Sequence, residues 1–559
     1  KTWFIGGPAA ENVNRAAVLL DGDIVTVGLA TSRNLFVSPG ALQDSLRGIR
    51  NVYIRVTDKE GTVKHATYFG GSDYDLPTSV AEDSATGNII VCGWTYSTDL
   101  PVCGNPLYPA FQGGETDCFI AILSRDLDTL RYCSYFGGSG IDHIWAMKAR
   151  QGRIWFTGLT DSPDFPVSSN ALQRSFAGGD DDAFIAVMSI ASNTLEYSSY
   201  YGGDGIDEGY SLDVDDEYRI YACGVTTSSY LQTTPNALSR TIREQEYCDS
   251  FALILSTSEN VPLYATYLGG DGYDMANTII ADGTGGLFIA GSTDSEDYPT
   301  TPGTFMELKS WRMSRDGFVS HLSTEAPFLR ASTRLGHYGE FGYTPIHDIK
   351  EYHGQIILCG STSTRMMPVD NDSTYKYVTG ERDGFVSIMS MNMKTLMNTI
   401  LLRADSITNA LGLEISNGNI ICYGGSNSTS TATFQPDNGF IMEYPHGGDD
   451  GWISIIPMAT IFTSVVYRND DRIKTTLEIF PNVVQHATRS IVIKSNESIR
   501  DVRHVSISDQ SGRMISLPCV QLNIPDNALL LPLPLLSRGI HYITVHVNSN
   551  VLTSRLLVL

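Results

Sequence analysis

No stretch of the chain is apolar enough to cross a bilayer. Its most apolar run, Ala528 to Leu536, is short and broken by Pro532 and Pro534, so no membrane span is expected. Clusters of Lys and Arg are missing too. With 38 basic residues against 62 acidic ones and a net charge of -24, the chain has no run able to displace the counterions of a phosphate backbone, which argues against nucleic acid as a partner. None of the nine cysteines sits in a Cys-x-x-Cys pair or beside histidines at zinc spacing, so a structural zinc site is not expected. Helical hydrophobic periodicity is absent as well. Charged residues make up only 18% of the chain while 52 residues are glycine, a composition that favours short strands and tight turns.

At 559 residues the chain exceeds one ordinary domain, and its charge is uneven: 28 basic and 55 acidic residues up to Ile456, then 10 and 7 from Pro457 onward. Two units are expected. The larger is acidic, read as solvated acidic faces, and the smaller is faintly basic. The chain begins at Lys1 rather than a methionine, which fits removal of a signal peptide. Cys92, Cys223, Cys359 and Cys422 fall at nearly equivalent strand positions shortly before a glycine and read as buried thiols. Cys118 and Cys133 lie on strands expected to form one hairpin, where a disulfide fits if the two face each other.

Internal repetition organises the rest. Apolar runs ending in glycine recur seven times: Ile24 to Gly28, Ile89 to Gly93, Ile154 to Gly158, Ile220 to Gly224, Leu287 to Gly291, Ile356 to Gly360 and Ile420 to Gly424. A small polar or acidic residue with an aromatic two places later also recurs seven times, at Asn51, Asp117, Asp182, Asp249, Asp316, Asp383 and Asp450. A third element closes an aromatic strand on paired glycines at Tyr68 to Gly71, Tyr135 to Gly138, Tyr200 to Gly203 and Tyr267 to Gly270, with a degraded copy at Leu335, Gly336 and His337. Copies spaced about 64 to 69 residues apart leave room for a four-stranded antiparallel blade and one long loop. The expected fold is all-β: a seven-bladed β-propeller over 1–457, followed by an immunoglobulin-like β-sandwich over 458–559.

Strand counting adds one detail. After Ile453 to Ile456 the seventh repeat has no closing aromatic-Gly-Gly strand, whereas Trp3-Phe4-Ile5-Gly6-Gly7 supplies that element ahead of the first inner strand. The strand 2–7 is therefore expected to complete the last blade, leaving no sheet edge open.

Gly158-Leu159-Thr160-Asp161-Ser162-Pro163-Asp164-Phe165-Pro166, followed by Asn170-Ala171-Leu172-Gln173, resembles the bacterial seven-bladed β-propeller repeat (SBBP-type) family with its Gly-x-Thr-x-Ser-x-x-Phe-Pro motif. Related copies stand at Gly93 to Pro101 and Gly291 to Pro299, while the sixth and seventh repeats depart from the pattern. The resemblance implies a fold and a surface location, and no one activity. In the tail, Phe480-Pro481-Asn482, Ile507 to Arg513, Leu536 to Tyr542 and the closing Leu556 to Leu559 resemble a type IX secretion sorting domain, with Val483 where a second proline is common. That resemblance implies export through the periplasm and outer membrane of a bacterium of the Bacteroidetes and Chlorobi kind, by the type IX machinery, with attachment to surface polysaccharide. An ordinary immunoglobulin-like module is the alternative.

No catalytic, cofactor-binding or metal-binding residue is assigned. The seven loops from the second-strand glycine to the third-strand acid or its equivalent all measure between 23 and 26 residues, so none is enlarged to carry chemistry. Asp75, Asp142, Asp207 and Asp274, each in Gly-Gly-x-x-x-Asp, suit either a turn that feeds backbone N–H groups to a carboxylate or a cation site. The same alternatives apply to Asp117, Asp182, Asp249, Asp316, Asp383 and Asp450. Calcium stays open, although no acidic cluster has EF-hand spacing. No Gly-x-Ser-x-Gly elbow occurs and the eleven histidines share no blade position. His143 and Trp145 are expected on a channel-facing strand, and Trp94, Trp145, Trp155 and Trp311 fit either blade packing or stacking on sugars.

The reading that follows is a secreted, non-enzymatic structural protein at the cell surface or outside it, self-associating into a homopolymeric filament, tube or layer. A glycan-binding adhesin is the alternative, and a secreted polysaccharide-active hydrolase or lyase ranks third.

Overall fold

The computed structural model describes residues 2–6, 9–258, 261–339, 341–370, 375–378, 380–403, 406–427, 435–436 and 450–458. Beyond these it describes the backbone of the strands Leu477–Phe480, Val483–Val484, Ser490–Ser495, Val502–Asp509, Met514–Leu517, Ala528–Pro532, Gly539–Val547 and Asn550–Val558. The chain divides into two compact units, Lys1–Glu351 with Ile356–Ile455, and Tyr352–Gln355 with Ile456–Leu559.

The first unit is a seven-bladed β-propeller built of antiparallel sheets. Blade 2 shows the plan: inner strand Asp75–Glu82, then Ile89–Thr95 and Asp117–Leu123, then outer strand Leu130–Phe136. The two middle strands are buried almost throughout, because a neighbouring blade covers each face, so they read as continuous apolar runs. The inner strand instead alternates buried and half-buried residues, since only one face meets the core. Other inner strands are Arg15–Val18, Asp142–Arg150, Asp207–Val214, Asp274–Ala281, Ile346–Tyr352 and Thr408–Ser416.

The inner strands of blades 2, 3, 4, 5 and 7 share a register shift at the same place, around Thr78, Trp145, Tyr210, Asn277 and Leu411. A bulge re-aims one side chain. Two of these residues use it to reach the next blade: Thr78 Oγ1 donates to the Ile144 carbonyl at 2.6 Å and Asn277 Nδ2 to the Ile346 carbonyl at 2.8 Å.

The seventh sheet is Thr408–Ser416, Asn419–Ser426, Asp450–Pro457 and Thr2–Ile5. Thr2 pairs with Ser454 and Ile5 with Gly451, so the outer strand comes from the start of the chain. Gly7 lies outside the described residues. Blade 6 departs from the plan with an extra hairpin, Met366–Pro368 against Tyr375–Tyr377, in its long loop.

In the tail, three strands, Leu477–Phe480, Ser490–Ser495 and Ala528–Pro532, form one sheet, and five form another in the order Val483–Val484, Asn550–Val558, Gly539–Val547, Val502–Asp509 and Met514–Leu517. Tail motif positions 481–482, 510–513, 536–538 and 559 lie outside the described residues.

The disulfide left open between Cys118 and Cys133 is not formed. Cys118 stands opposite Phe136 and Cys133 opposite Ala121, and both are free, buried thiols. The hairpin brings its strands together in a register that offsets the two sulfurs. Cys92, Cys223, Cys359 and Cys422 are likewise buried and free.

Candidate functional site

The repeated acids all gather on one face of the ring. Because the start of the inner strand pairs with the end of the second, and that with the start of the third, as in Asp75, Thr95 and Asp117, the two acidic positions carried by blades 2 to 5 fall at the same end of the blade. Asp75 Oδ1 accepts from Thr95 Oγ1 at 2.5 Å, and its Oδ2 from Gly71 N–H at 2.8 Å and Ser97 Oγ at 3.3 Å. The pattern repeats. Asp142 Oδ2 accepts from Gly138 N–H and Ser162 Oγ, Asp207 from Gly203 and Ser228, and Asp274 from Gly270 and Ser295, all at 2.6 to 2.9 Å.

These contacts explain the Thr-x-Ser spacing. The threonine hydroxyl accepts from the serine N–H at 2.8 to 3.2 Å in blades 2 to 5, and the serine hydroxyl then reaches the acid. The Tyr-x-Gly-Gly tyrosine completes the turn: Tyr68, Tyr135, Tyr200 and Tyr267 donate to the carbonyls of Ser32, Ser97, Ser162 and Ser228. The acids are thus held by backbone and hydroxyl donors. Among the described residues no group of three or more His, Cys, Asp or Glu could hold a metal ion.

Burial pushes these carboxyls upward, Asp75, Asp142 and Asp274 to about 6, and Asp117, Asp182 and Asp249 to about 7. In each of the last three a neighbouring aspartate adds to the effect of burial.

The channel between the inner strands contains a cavity of about 290 Å³, reached by residues from all seven blades. Its charges are largely paired. Lys350 Nζ lies 3.0 Å from Glu414 and 4.0 Å from Asp348, and Lys148 lies 3.5 Å from Asp213, while Asp348 also accepts from Leu413 N–H at 3.0 Å. Apart from Lys350–Asp348, which lies within one strand, these bonds join neighbouring blades.

An aromatic row crosses blades 2 to 4 on the acid-bearing face. Trp94 stacks on His143 with ring centres 4.3 Å apart, His143 meets Trp145 edge-on at 5.7 Å, and Trp145 meets Tyr210 at 6.3 Å. Burial holds His143 neutral, down to about 4, and its Nε2 lies 2.9 Å from Thr116 Oγ1. Beside Tyr210 stand Glu208, raised by burial, and Asp181, pushed up to about 7 by burial and by Glu208. The structure thus joins Trp94, His143 and Trp145. It places Trp155 elsewhere, stacked on Tyr218 at 6.0 Å, and leaves Trp311 51% exposed.

Trp311 belongs to a blade 5 loop that, among the described residues, exposes several large apolar side chains together. Leu308, Trp311 and Met313 are exposed, as are Tyr338 and Phe341 of the next turn. The two segments are tied by Gly339 N–H to the Ser310 carbonyl at 2.9 Å and Arg315 N–H to the Gly342 carbonyl at 3.1 Å. Exposed Tyr375 continues the patch through an edge contact with His337 at 4.4 Å. Equal loop length concealed this difference, because length says nothing of which side chains point outward.

Residues 263–299 match the family described as Beta-propeller repeat, a segment running from the outer strand of blade 4 through the Gly291 to Pro299 motif of blade 5. No curated protein matches the chain. Thirty-nine solved chains do. One is an acylaminoacyl peptidase of Pyrococcus horikoshii, 8% identical at a TM-score of 0.36, matched over 88% of this chain and 59% of that one, so the chain spans about three-fifths of that peptidase's length. Another is a structural genomics protein of unknown function from Bacteroides thetaiotaomicron VPI-5482, 8% identical at a TM-score of 0.14, over 75% of this chain and 96% of that one.

Proposed function

We propose that this protein is a secreted, non-enzymatic structural subunit of the bacterial cell surface that assembles with copies of itself. The reading rests on the two unlike arcs of the acid-bearing face. Leu308, Trp311, Met313, Tyr338 and Phe341 form an apolar patch with exposed Arg312 in its midst. In the equivalent loops of blades 2 to 4 the exposed acids, Asp99, Glu115, Asp164, Asp180, Glu244 and Glu246, outnumber the exposed basic residues Arg174, Arg240 and Arg243. A patch of this kind on an acidic body marks an interaction site, and the acidic arc of a second copy is its charge complement. The tail, as an immunoglobulin-like sorting domain, would route the chain through the type IX machinery to the surface.

Sedimentation velocity and negative-stain imaging of the full chain test this. Concentration-dependent ordered assemblies, lost in Trp311→Ser/Met313→Ser, support it. A chain that stays monomeric at high concentration overturns it. The aromatic row Trp94, His143, Trp145 and Tyr210 favours a second reading, a glycan-binding adhesin, which saturable retention of the monomer on a glycan array, reduced by Trp145→Ala, would support.

A further inference from the structure

The junctions between blades share one geometry around the first glycine of each Gly-Gly pair. A Cβ added at Gly70 would lie 2.2 Å from Asp75 Oδ2 and 2.7 Å from Asn51 Nδ2. At Gly137 the same two places are taken by Asp142 Oδ2 at 2.5 Å and Asp117 Oδ1 at 3.0 Å. At Gly202 they are Asp207 Oδ2 at 2.9 Å and Asp182 Oδ1 at 2.2 Å, and at Gly269 Asp274 Oδ2 at 2.8 Å and Asp249 Oδ1 at 2.3 Å. The glycine is required by the close approach of both side chains.

Asn51 therefore reveals what its aspartate counterparts must do. Its Oδ1 accepts from Arg47 N–H at 2.8 Å, as Asp182 Oδ2 accepts from Ala177 N–H at 2.8 Å and Asp117 Oδ2 from Gln112 N–H at 2.5 Å. Its Nδ2 donates to Asp75 Oδ2 at 2.8 Å. In blades 2 and 3 the atom at that donating place is a carboxylate oxygen, and Asp117 Oδ1 and Asp182 Oδ1 are buried with no hydrogen-bond partner. An oxygen that stands where Asn51 places its donating amide, across the same glycine from the next inner-strand carboxylate, can satisfy both only by carrying a hydrogen.

We infer that Asp117–Asp142, Asp182–Asp207 and Asp249–Asp274 are three buried proton-binding sites, in each of which the third-strand carboxyl keeps its proton and donates it to the inner-strand carboxylate of the next blade. Each pair then carries one negative charge, as Asn51–Asp75 does. A metal ion is the poorer occupant, since an N–H donor fills the equivalent place at Asn51 and N–H and O–H donors already occupy Oδ2 of Asp142, Asp207 and Asp274.

The charged surroundings fit. Asp161 is the further acid acting on the first pair; Asp181 and Asp204 act on the second; Arg243, Asp297 and Arg334 act on the third. Tyr200, Tyr201, Tyr267 and Tyr298, together with Cys118 and Cys248, also face these carboxyls, and burial keeps all six neutral. The third-strand carboxyls are raised toward neutrality by burial first and by the neighbouring aspartate.

A folded-state pKa above the unfolded one means that the native chain holds more protons between the two, so stability is lost as pH rises through that window. Melting of the full chain between about pH 5 and about pH 8 is the test. The melting temperature should fall across this range in the parent and fall less in Asp117→Asn/Asp182→Asn/Asp249→Asn, which copies Asn51 three times and leaves Asp181 and the inner-strand acids to titrate there. Asn51→Asp should add a fourth pair and steepen the fall, a readout that remains if the triple variant does not fold. Infrared spectra at neutral pH should show a carboxylic acid C=O band that shifts on deuteration and is weakened in the triple variant, where Asp181 still contributes. A level parental profile, an Asn51→Asp profile equal to the parent's, or no acid band would each overturn the inference.

Discussion

Arg334 donates from Nη2 to the Ser295 carbonyl at 2.8 Å, making in blade 5 the bond that a tyrosine hydroxyl makes in blades 1 to 4. It is fully buried, lies 3.8 Å from Asp316 and packs its guanidinium against the Tyr298 ring at 5.7 Å. One buried cation replaces both the tyrosine and the second acid of the earlier junctions: the inner strand of blade 6 begins at Ile346, without an aspartate.

Removing that cation should be costly. Arg334→Met leaves Asp316 buried without its counter-ion and should destabilise the propeller by about 3–5 kcal/mol. Arg334→Tyr restores the repeat residue and its bond to Ser295, so it should recover part of the loss. Denaturant melts of the two variants beside the parent decide the matter; equal stability of Arg334→Met and parent would contradict it.

The tyrosine version can be probed in blade 3. Tyr200 Oη donates to the Ser162 carbonyl at 2.6 Å and accepts from Phe165 N–H at 3.1 Å. Tyr200→Phe should cost about 1 kcal/mol, because both buried backbone groups lose the hydroxyl and keep only their own bond, Phe165 N–H to the Ser162 carbonyl at 3.3 Å, while the ring stays in place. Thermal melting reads this directly.

The strand Thr2–Ile5 pairs with Asp450–Pro457 through four residue pairs. Deleting residues 1–7 exposes that edge, and the truncated chain should melt lower and aggregate during the melt as unpaired strands meet. Light scattering recorded with the melt distinguishes the two effects. A truncation that melts like the parent would show that the pairing contributes little.

Thiol chemistry checks the cysteine assignment. The eight described cysteines are free, and only Cys103 and Cys248 are part exposed. Burial pushes the Cys92, Cys133 and Cys223 thiols well above their usual range. Among the eight described cysteines, an alkylating reagent should therefore label Cys103 and Cys248 first in the folded chain and the other six after denaturation, without prior reduction. Labelling that needs a reductant would restore a disulfide.

Much of this architecture was legible in one dimension. Runs such as Ile89 to Gly93 recur because a middle strand buried on both faces must be apolar throughout, and Gly-x-Thr-x-Ser recurs because each blade solves the same hydrogen-bonding problem. Trp3 to Gly7 matched the strand missing from the seventh repeat, and Thr2–Ile5 is hydrogen-bonded there. Whether Cys118 faces Cys133 was open in the sequence, since hairpin membership does not fix which residues stand opposite.

The candidate sites were far less legible. Asp117 and Asp142 are 25 residues apart and belong to different blades, and nothing in their spacing says that their carboxyls converge on Gly137. Leu308, Trp311 and Tyr338 likewise look unremarkable in loops of ordinary length. By itself the sequence determined the repeat, the strand pattern and the blade count, because these follow from local periodicity and turn chemistry. Which acids meet, which aromatics align from Trp94 to Tyr210, and which side chains are left facing solvent were decided only when the ring closed, because those relations depend on how neighbouring blades stack rather than on any segment alone.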